Sequence, residues 1–141
     1  MLEVVRIVNK EQMDEAYRIR MEVFVEEQGV NPDVEIDEHE AEAAHVLAYW
    51  NGQAAGTGRV RTVGEYAKIE RICVRADYRK YGVGKGVMLA LEEIAREQGL
   101  AKAKLHGQTH AEPFYARLGY ETVSDVFMEE GIPHVTMVKT L

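Results

Sequence analysis

The chain opens on five apolar residues, Leu2, Val4, Val5, Ile7 and Val8, whose β-prone character predicts a strand. Asn9, followed three positions later by Gln12, is a helix-start pattern in which side chains satisfy backbone N–H groups left unpaired by the first turn. Met13, Ala16, Tyr17, Arg20 and Phe24 then recur at helical spacing, with Gly29 as the stop. From Val30 to Glu42 the chain is acidic and irregular, and Pro32 forbids an early continuation of the helix. Residues 44–50 and 54–63 are strand-like around Asn51-Gly52, a pair suited to the two positive φ angles of a type I′ hairpin turn. Gly64-Glu65 makes another turn, and residues 68–74 a third strand. The clearest helix spans 82–98, where Val83, Val87, Leu91, Ile94 and Ala95 line one face and Gly99 ends it. A strand over 101–108, a short helix over 113–118 with Pro113 in its first turn, and strands over 120–126 and 134–139 complete the pattern. The order β-α-β-β-β-α-β-α-β-β predicts an α+β fold, a mixed sheet with helices on its faces.

Composition narrows the functional classes. Hydrophobic residues at 46% and charged residues at 29% are the balance of an ordinary globular protein, and 141 residues suit one domain over 1–141. A formal net charge of −7 argues against nucleic acid as a partner, since displacing counterions from phosphates needs a broad basic surface. No apolar run approaches the roughly 20 residues of a membrane span, and the first residues lack a signal-peptide core. The lone cysteine, Cys73, has no internal disulfide partner. A cytoplasmic protein without a membrane partner is the expectation. The acidity is local. Eight acids between Glu26 and Glu42 meet no Lys or Arg, leaving 16 acids against 17 bases elsewhere.

Chemistry concentrates where the third strand enters the main helix. Gly82, Gly84 and Gly86 let the backbone approach a bulky anion. The first helical turn offers unpaired N–H groups with partial positive charge, a cradle suited to a pyrophosphate. Arg75, Arg79, Lys80 and Lys85 bring cations to the same end. The spacing fits neither a P-loop nor the dinucleotide fingerprint: Gly84-Lys85 is followed by Gly86, and the glycines read G-x-G-x-G late in the chain.

What remains is R-x-x-G-x-G, as Arg79-Lys80-Tyr81-Gly82-Val83-Gly84, directly after the strand Ile69-Glu70-Arg71-Ile72-Cys73-Val74. This pairing resembles motif A of the GNAT N-acetyltransferase superfamily. Pro113-Phe114-Tyr115-Ala116-Arg117-Leu118-Gly119-Tyr120 is similar to that family's later P-F-Y-x-x-L-G-F/Y motif, and residues 20–28 resemble the start of a small bacterial subgroup. The resemblance implies a GNAT-like, mostly antiparallel mixed sheet with helices on both faces and a splayed central strand pair. It also implies acetyl-CoA as co-substrate without a metal. Backbone groups of Ile72, Cys73 and Val74 would pair with pantetheine, and N–H groups through Arg79, Lys80, Gly82, Val83, Gly84 and Lys85 would hold the pyrophosphate. His110 stands near a position where many members carry an Asn that touches the cofactor. Phe114 and Tyr115 would line the far side. Dimers are common in the family, so a homodimer is a further partner to consider.

Acetyl transfer to an amine needs a deprotonated nucleophile, a stabilised oxyanion and a protonated leaving thiolate. Tyr115 is the expected general acid. Glu70 is the preferred base, with an ion pair to Arg71 or Arg59 as its alternative role; Asp37, Glu38 and His45 are rivals. Asp37, Glu38, His45, Arg59 and His134 are candidates for the acceptor side, where an inward Arg could bind an acceptor's carboxylate or phosphate. The acidic stretch would attract a cationic amine while the basic cluster holds the anionic cofactor. Cys73, inside an apolar strand, is expected to be a buried structural thiol. His106 and His110 are four apart on a strand end and loop, where that spacing does not align side chains for a metal. The expected activity is N-acetylation of a small-molecule amine in a ternary complex. A non-catalytic acyl-CoA sensor and a protein N-terminal or lysine acetyltransferase are the alternatives.

Overall fold

A computed structural model describes residues 1–141. The strands are β1 (Leu2–Arg6), β2 (Ala44–Trp50), β3 (Gln53–Val63), β4 (Tyr66–Val74), β5 (Lys102–Gln108), β6 (Glu121–Thr122), β7 (Phe127–Glu129) and β8 (Ile132–Thr140). The α-helices are α1 (Lys10–Arg20), α2 (Pro32–Glu35), α3 (Val83–Glu97) and α4 (Glu112–Arg117). One open sheet runs β1-β2-β3-β4-β5-β8-β6, and β7 also pairs with β8. Every pair is antiparallel except β4–β5. No helix is long and apolar enough to cross a membrane.

The helices cover both faces. Val83, Val87, Met88, Leu91, Ile94 and Ala95 of α3 are buried on one face of the sheet with Val46, Val60, Ile69, Leu105 and Met137. Ala16, Ile19 and Val23 pack with Leu47 and Cys73 on the other. The start of α1 forms as its sequence dictates: Asn9 Oδ1 accepts from Gln12 N–H at 2.8 Å, while Gln12 Oε1 accepts from Val8 N–H at 2.8 Å. At Asn51-Gly52 both φ angles are positive, 49° and 81°, as a type I′ turn requires.

Three departures from the sequence pattern shape the site. The first helix continues beyond α1 as a π-helical stretch, Met21–Glu27, whose wider turns present Val23 and Phe24 to a cavity. Pro32 opens a one-turn helix, at a first-turn position where its missing N–H is harmless. The strand expected over 120–126 is only Glu121–Thr122. A separate hairpin, β7–β8, turns at Glu130-Gly131 with φ of 52° and 73°.

Candidate active site

β4 and β5 are paired from Tyr66↔Lys102 to Ile69↔Leu105 and then separate. Beyond that point β4 stays paired with β3 as far as Val74, and β5 with β8 as far as Gln108. The inner edges of both strands therefore face a gap with backbone groups left unpaired, although buried backbone groups ordinarily find partners. A bulge adds to the divergence: between Thr57↔Cys73 and Arg59↔Glu70, β4 uses one more residue than β3, with Arg71 at φ 60°. The gap opens into a cavity of about 860 Å³.

At one end lies the start of α3. Gly82 caps it at φ 73°, and the first helical rung is Gly86 N–H donating to Gly82 C=O at 3.1 Å, so the N–H groups of Val83, Gly84 and Lys85 precede the ladder. A Cβ on Gly84 would stand 3.3 Å from Phe114 Cζ, so glycine keeps this wall open between helix and ring. Free strand edge, helix N-terminus and bare backbone together fit a pantetheine arm ending in a pyrophosphate. The surrounding cations divide differently from expectation. Arg79 donates to Val74 C=O and to the Glu27 carboxylate, Arg75 turns to Glu15, Glu22 and Ala54 C=O, and Lys80 does not line the cavity. Lys85 remains directed to it.

Tyr115 lines the gap from α4. Its ring lies edge-on to Phe114 at 5.1 Å, its hydroxyl makes no hydrogen bond within the chain, and burial pushes its pKa up to about 12. Such a phenol keeps its proton at neutral pH and can donate it. Cys73 is buried with its thiol pushed above its ordinary range by desolvation, consistent with packing on α1 rather than with a nucleophile. His110 lines the cavity and meets Gln108 Oε1 at 2.6 Å. Gln108 Nε2 in turn donates to Gln28 Oε1 at 2.8 Å, tying the end of the first helical segment to β5.

The candidate acceptor-side residues divide between the cavity and a layer of ion pairs. Three acids of the acidic stretch, Glu35, Asp37 and Glu40, fold inward onto buried guanidiniums. Arg20, 1% exposed, meets Glu35 and Glu40, while Arg59, also 1% exposed, meets Asp37, Glu40 and Glu70. Arg71 adds contacts to Glu35 and Asp37. The hydrogen bond from Arg59 holds Asp37 far below the usual carboxylate range. Burial alone would raise Glu70, but Arg61 and Arg59 overcome it and its pKa falls. Glu70 lines the cavity and is an ion-pair partner of Arg59, Arg61 and Lys68, the alternative role its sequence position offered. Asp37 and His134 line the cavity, whereas Glu38, His45 and Arg59 do not. Glu38 points to solvent at 81% exposure, and buried His45 donates from Nε2 to Glu40 C=O at 2.8 Å.

Among the cavity residues outside the sequence reading of the site are His106 on β5 and Glu129 on β7, with His106 Nδ1 3.2 Å from Glu129 Oε1. Strand parity gives a signal for His106, because Leu105 and the neighbouring Gly107 are buried on the α3 side of β5. Glu129 had none, since its hairpin was not legible.

Residues 8–141 match the family model of the acetyltransferase (GNAT) domain. The protein YyaT of Bacillus subtilis is 48% identical over 143 residues, spanning 99% of this chain and 97% of that one. An acyl-CoA N-acyltransferase from Pseudomonas aeruginosa superposes with a TM-score of 0.86 at 25% identity, over 99% of this chain and 100% of that one. A GNAT family acetyltransferase from Elizabethkingia anophelis with acetyl-CoA bound shares the fold, with a TM-score of 0.77 at 15% identity over 99% of this chain and 98% of that one. With its splayed strand pair, glycine-started helix and near-complete match to the family model, the chain belongs to the GNAT acetyltransferase family.

Proposed function

We propose that the protein transfers an acetyl group from acetyl-CoA directly to the primary amine of a small molecule, with both substrates held at once in the gap between β4 and β5. The observation that carries this reading is the meeting of three features in one cavity: the unpaired edge of β4, the amides of Val83, Gly84 and Lys85, and the Tyr115 hydroxyl. Ile72, Cys73 and Val74 are suited to pair with pantetheine amides, and Phe114 to flank the arm. Arg79 and Lys80 would contribute through backbone N–H groups, since the Arg79 guanidinium is engaged by Glu27. The acetyl-CoA bound to the Elizabethkingia protein supports this co-substrate through the shared fold. Val30, Val34 and Asp37 wall the acceptor side from one flank, and Glu129 and Ile132 from the other, which favours a small acceptor over a protein chain.

Holding amine and thioester in line supplies much of the acceleration without a covalent enzyme intermediate. Tyr115 gives its proton to the departing thiolate. Tyr115→Phe is expected to lower kcat for amine acetylation by about 10²–10⁴-fold, measured by release of free thiol, while the acetyl-CoA Kd from calorimetry stays within about twofold. Wild-type protein that binds acetyl-CoA but acetylates no member of a broad amine panel would overturn the enzymatic reading in favour of a binding domain.

A further inference from the structure

On the acceptor face of the gap, β5, β7 and β8 bring His106, Glu129 and His134 together. Glu129 stands between the two imidazoles, Oε1 3.2 Å from His106 Nδ1 and Oε2 3.6 Å from His134 Nε2. Phe127 lies edge-on to the His106 ring at 5.1 Å and at 22° to the His134 ring at 6.1 Å, so packing holds both rings beside the carboxylate. We infer that His106 takes the proton from the acceptor amine and that Glu129 is its positioning residue. This rests on the N-acetyltransferase reading above.

The assignment follows from which nitrogen is free. A carboxylate only accepts hydrogen bonds, so His106 Nδ1 must carry the proton that joins it to Glu129, and in the neutral ring Nε2 keeps its lone pair. That Nε2 makes no hydrogen bond within the chain, and His106 lines the cavity. His134 differs: its Nδ1 donates to Ile132 C=O at 2.7 Å, which leaves the unprotonated Nε2 turned toward the Glu129 carboxylate at 3.6 Å. The cavity's other inward carboxylates, Glu35, Asp37 and Glu70, each face guanidinium groups. Strand parity then separates acid from base. A Cβ on Gly107 would stand 3.1 Å from Tyr115 Cδ2, so the phenol approaches β5 from the face opposite to the neighbouring His106. Proton acceptor and proton donor reach the same gap from its two sides.

The ammonium gives one proton to His106 Nε2, and the amine lone pair forms a C–N bond at the thioester carbonyl. As the C–S bond breaks, the thiolate takes the Tyr115 proton. The phenolate recovers one from the new amide nitrogen, and the imidazolium releases its proton to solvent. The charged groups that act on Glu129 are His106, His134 and Lys68 from β4, and Glu130 from the β7–β8 turn also lines the cavity.

The test compares His106→Gln, Glu129→Gln and Glu129→Asp with wild type on a reactive amine from the panel. His106→Gln is expected to lose about 10²-fold in kcat/KM at neutral pH, to recover as pH rises toward the amine's own pKa, and to keep its acetyl-CoA Kd. Glu129→Gln should shift the acid limb of the pH profile, and Glu129→Asp should restore part of the wild-type limb. Histidine-labelled NMR of the coenzyme A complex should give the Nδ1–H tautomer at His106 in wild type and a smaller share of it in Glu129→Gln, whose neutral amide oxygen is a weaker acceptor. Wild-type-like turnover in His106→Gln, a loss that does not vary with pH, or an Nε2–H tautomer would each overturn the inference while the acetyltransferase reading stands. Absence of amine acetylation by the wild type would overturn both.

Discussion

Burying a guanidinium is unfavourable unless carboxylates replace the water it loses, and Arg59 meets that condition with Asp37, Glu40 and Glu70 at 2.9 Å each. Removing it leaves three inward carboxylates under-compensated. Arg59→Leu is therefore expected to lower unfolding stability by about 3–5 kcal/mol, the range for breaking a buried pair, read from urea denaturation. Retained stability would mean that these acids are already hydrated. Because Asp37 sits on the segment that walls the acceptor side, the same variant should raise the amine KM more than the acetyl-CoA Kd. The sequence allowed Glu70 an ion pair with Arg71 or Arg59 beside a catalytic role. It could not choose between them, because the deciding neighbours lie on another strand and depend on register: Arg61 reaches Glu70 across 9 positions and Arg59 across 11. The proposed cofactor end depends on local sequence, since the amides before α3 follow three closely spaced glycines rather than distant side chains.

At the level of elements, the glycines of β3 set how closely α3 can lie on the sheet. A Cβ on Gly58 would come within 2.6 Å of Ile72 Cδ1, 2.8 Å of Val87 Cγ1 and 2.9 Å of Leu91 Cδ1. Gly58→Ala thus overpacks the interface from three sides and is expected to destabilise by about 1–3 kcal/mol, with a lowered Tm. Since Ile72 belongs to the free edge of β4, acetyl-CoA affinity should weaken as well. An unchanged Tm would show that the layer relaxes freely. The long elements were legible because periodicity averages over many residues: α3 shows its apolar stripe over four turns, and the Asn51-Gly52 hairpin has its own turn chemistry. Short edge strands lack that averaging. β6 has two residues and β7 three, and both owe their place to pairing with β8. The turn between β7 and β8 uses Glu130 at positive φ, where Asn or Gly would have given a stronger signal. Missing that turn hid Glu129, and with it the partner of His106.

At the scale of the whole molecule, the acidic stretch supplies counter-ions to an inner layer of arginines, and this makes stability depend on pH in a stated direction. Burial would raise Glu40, but hydrogen bonding and charge from Arg20 outweigh it and bring its pKa from 4.5 to about 2. Asp37, Glu70 and Glu129 are also lowered, by Arg59, by Arg61 with Arg59, and by His106. A carboxylate with a folded pKa below its unfolded one contributes stability that is fully present above the unfolded value and is lost as pH falls through the folded value. Glu35 works the other way, because burial raises its pKa and protonation relieves the folded state. With four lowered groups opposing one raised group, the folded state should lose stability as pH drops from about 4.5 to about 2, the interval set by Glu40. Calorimetric Tm should fall steadily across that interval. Glu40→Gln should start lower at neutral pH, because Arg20 and Arg59 each lose a partner, and should fall less steeply in acid, so that the two curves converge near pH 2. Parallel curves would mean that Glu40 titrates alike in the folded and unfolded chains, and that the inward-folded acids contribute shape without coupling stability to pH.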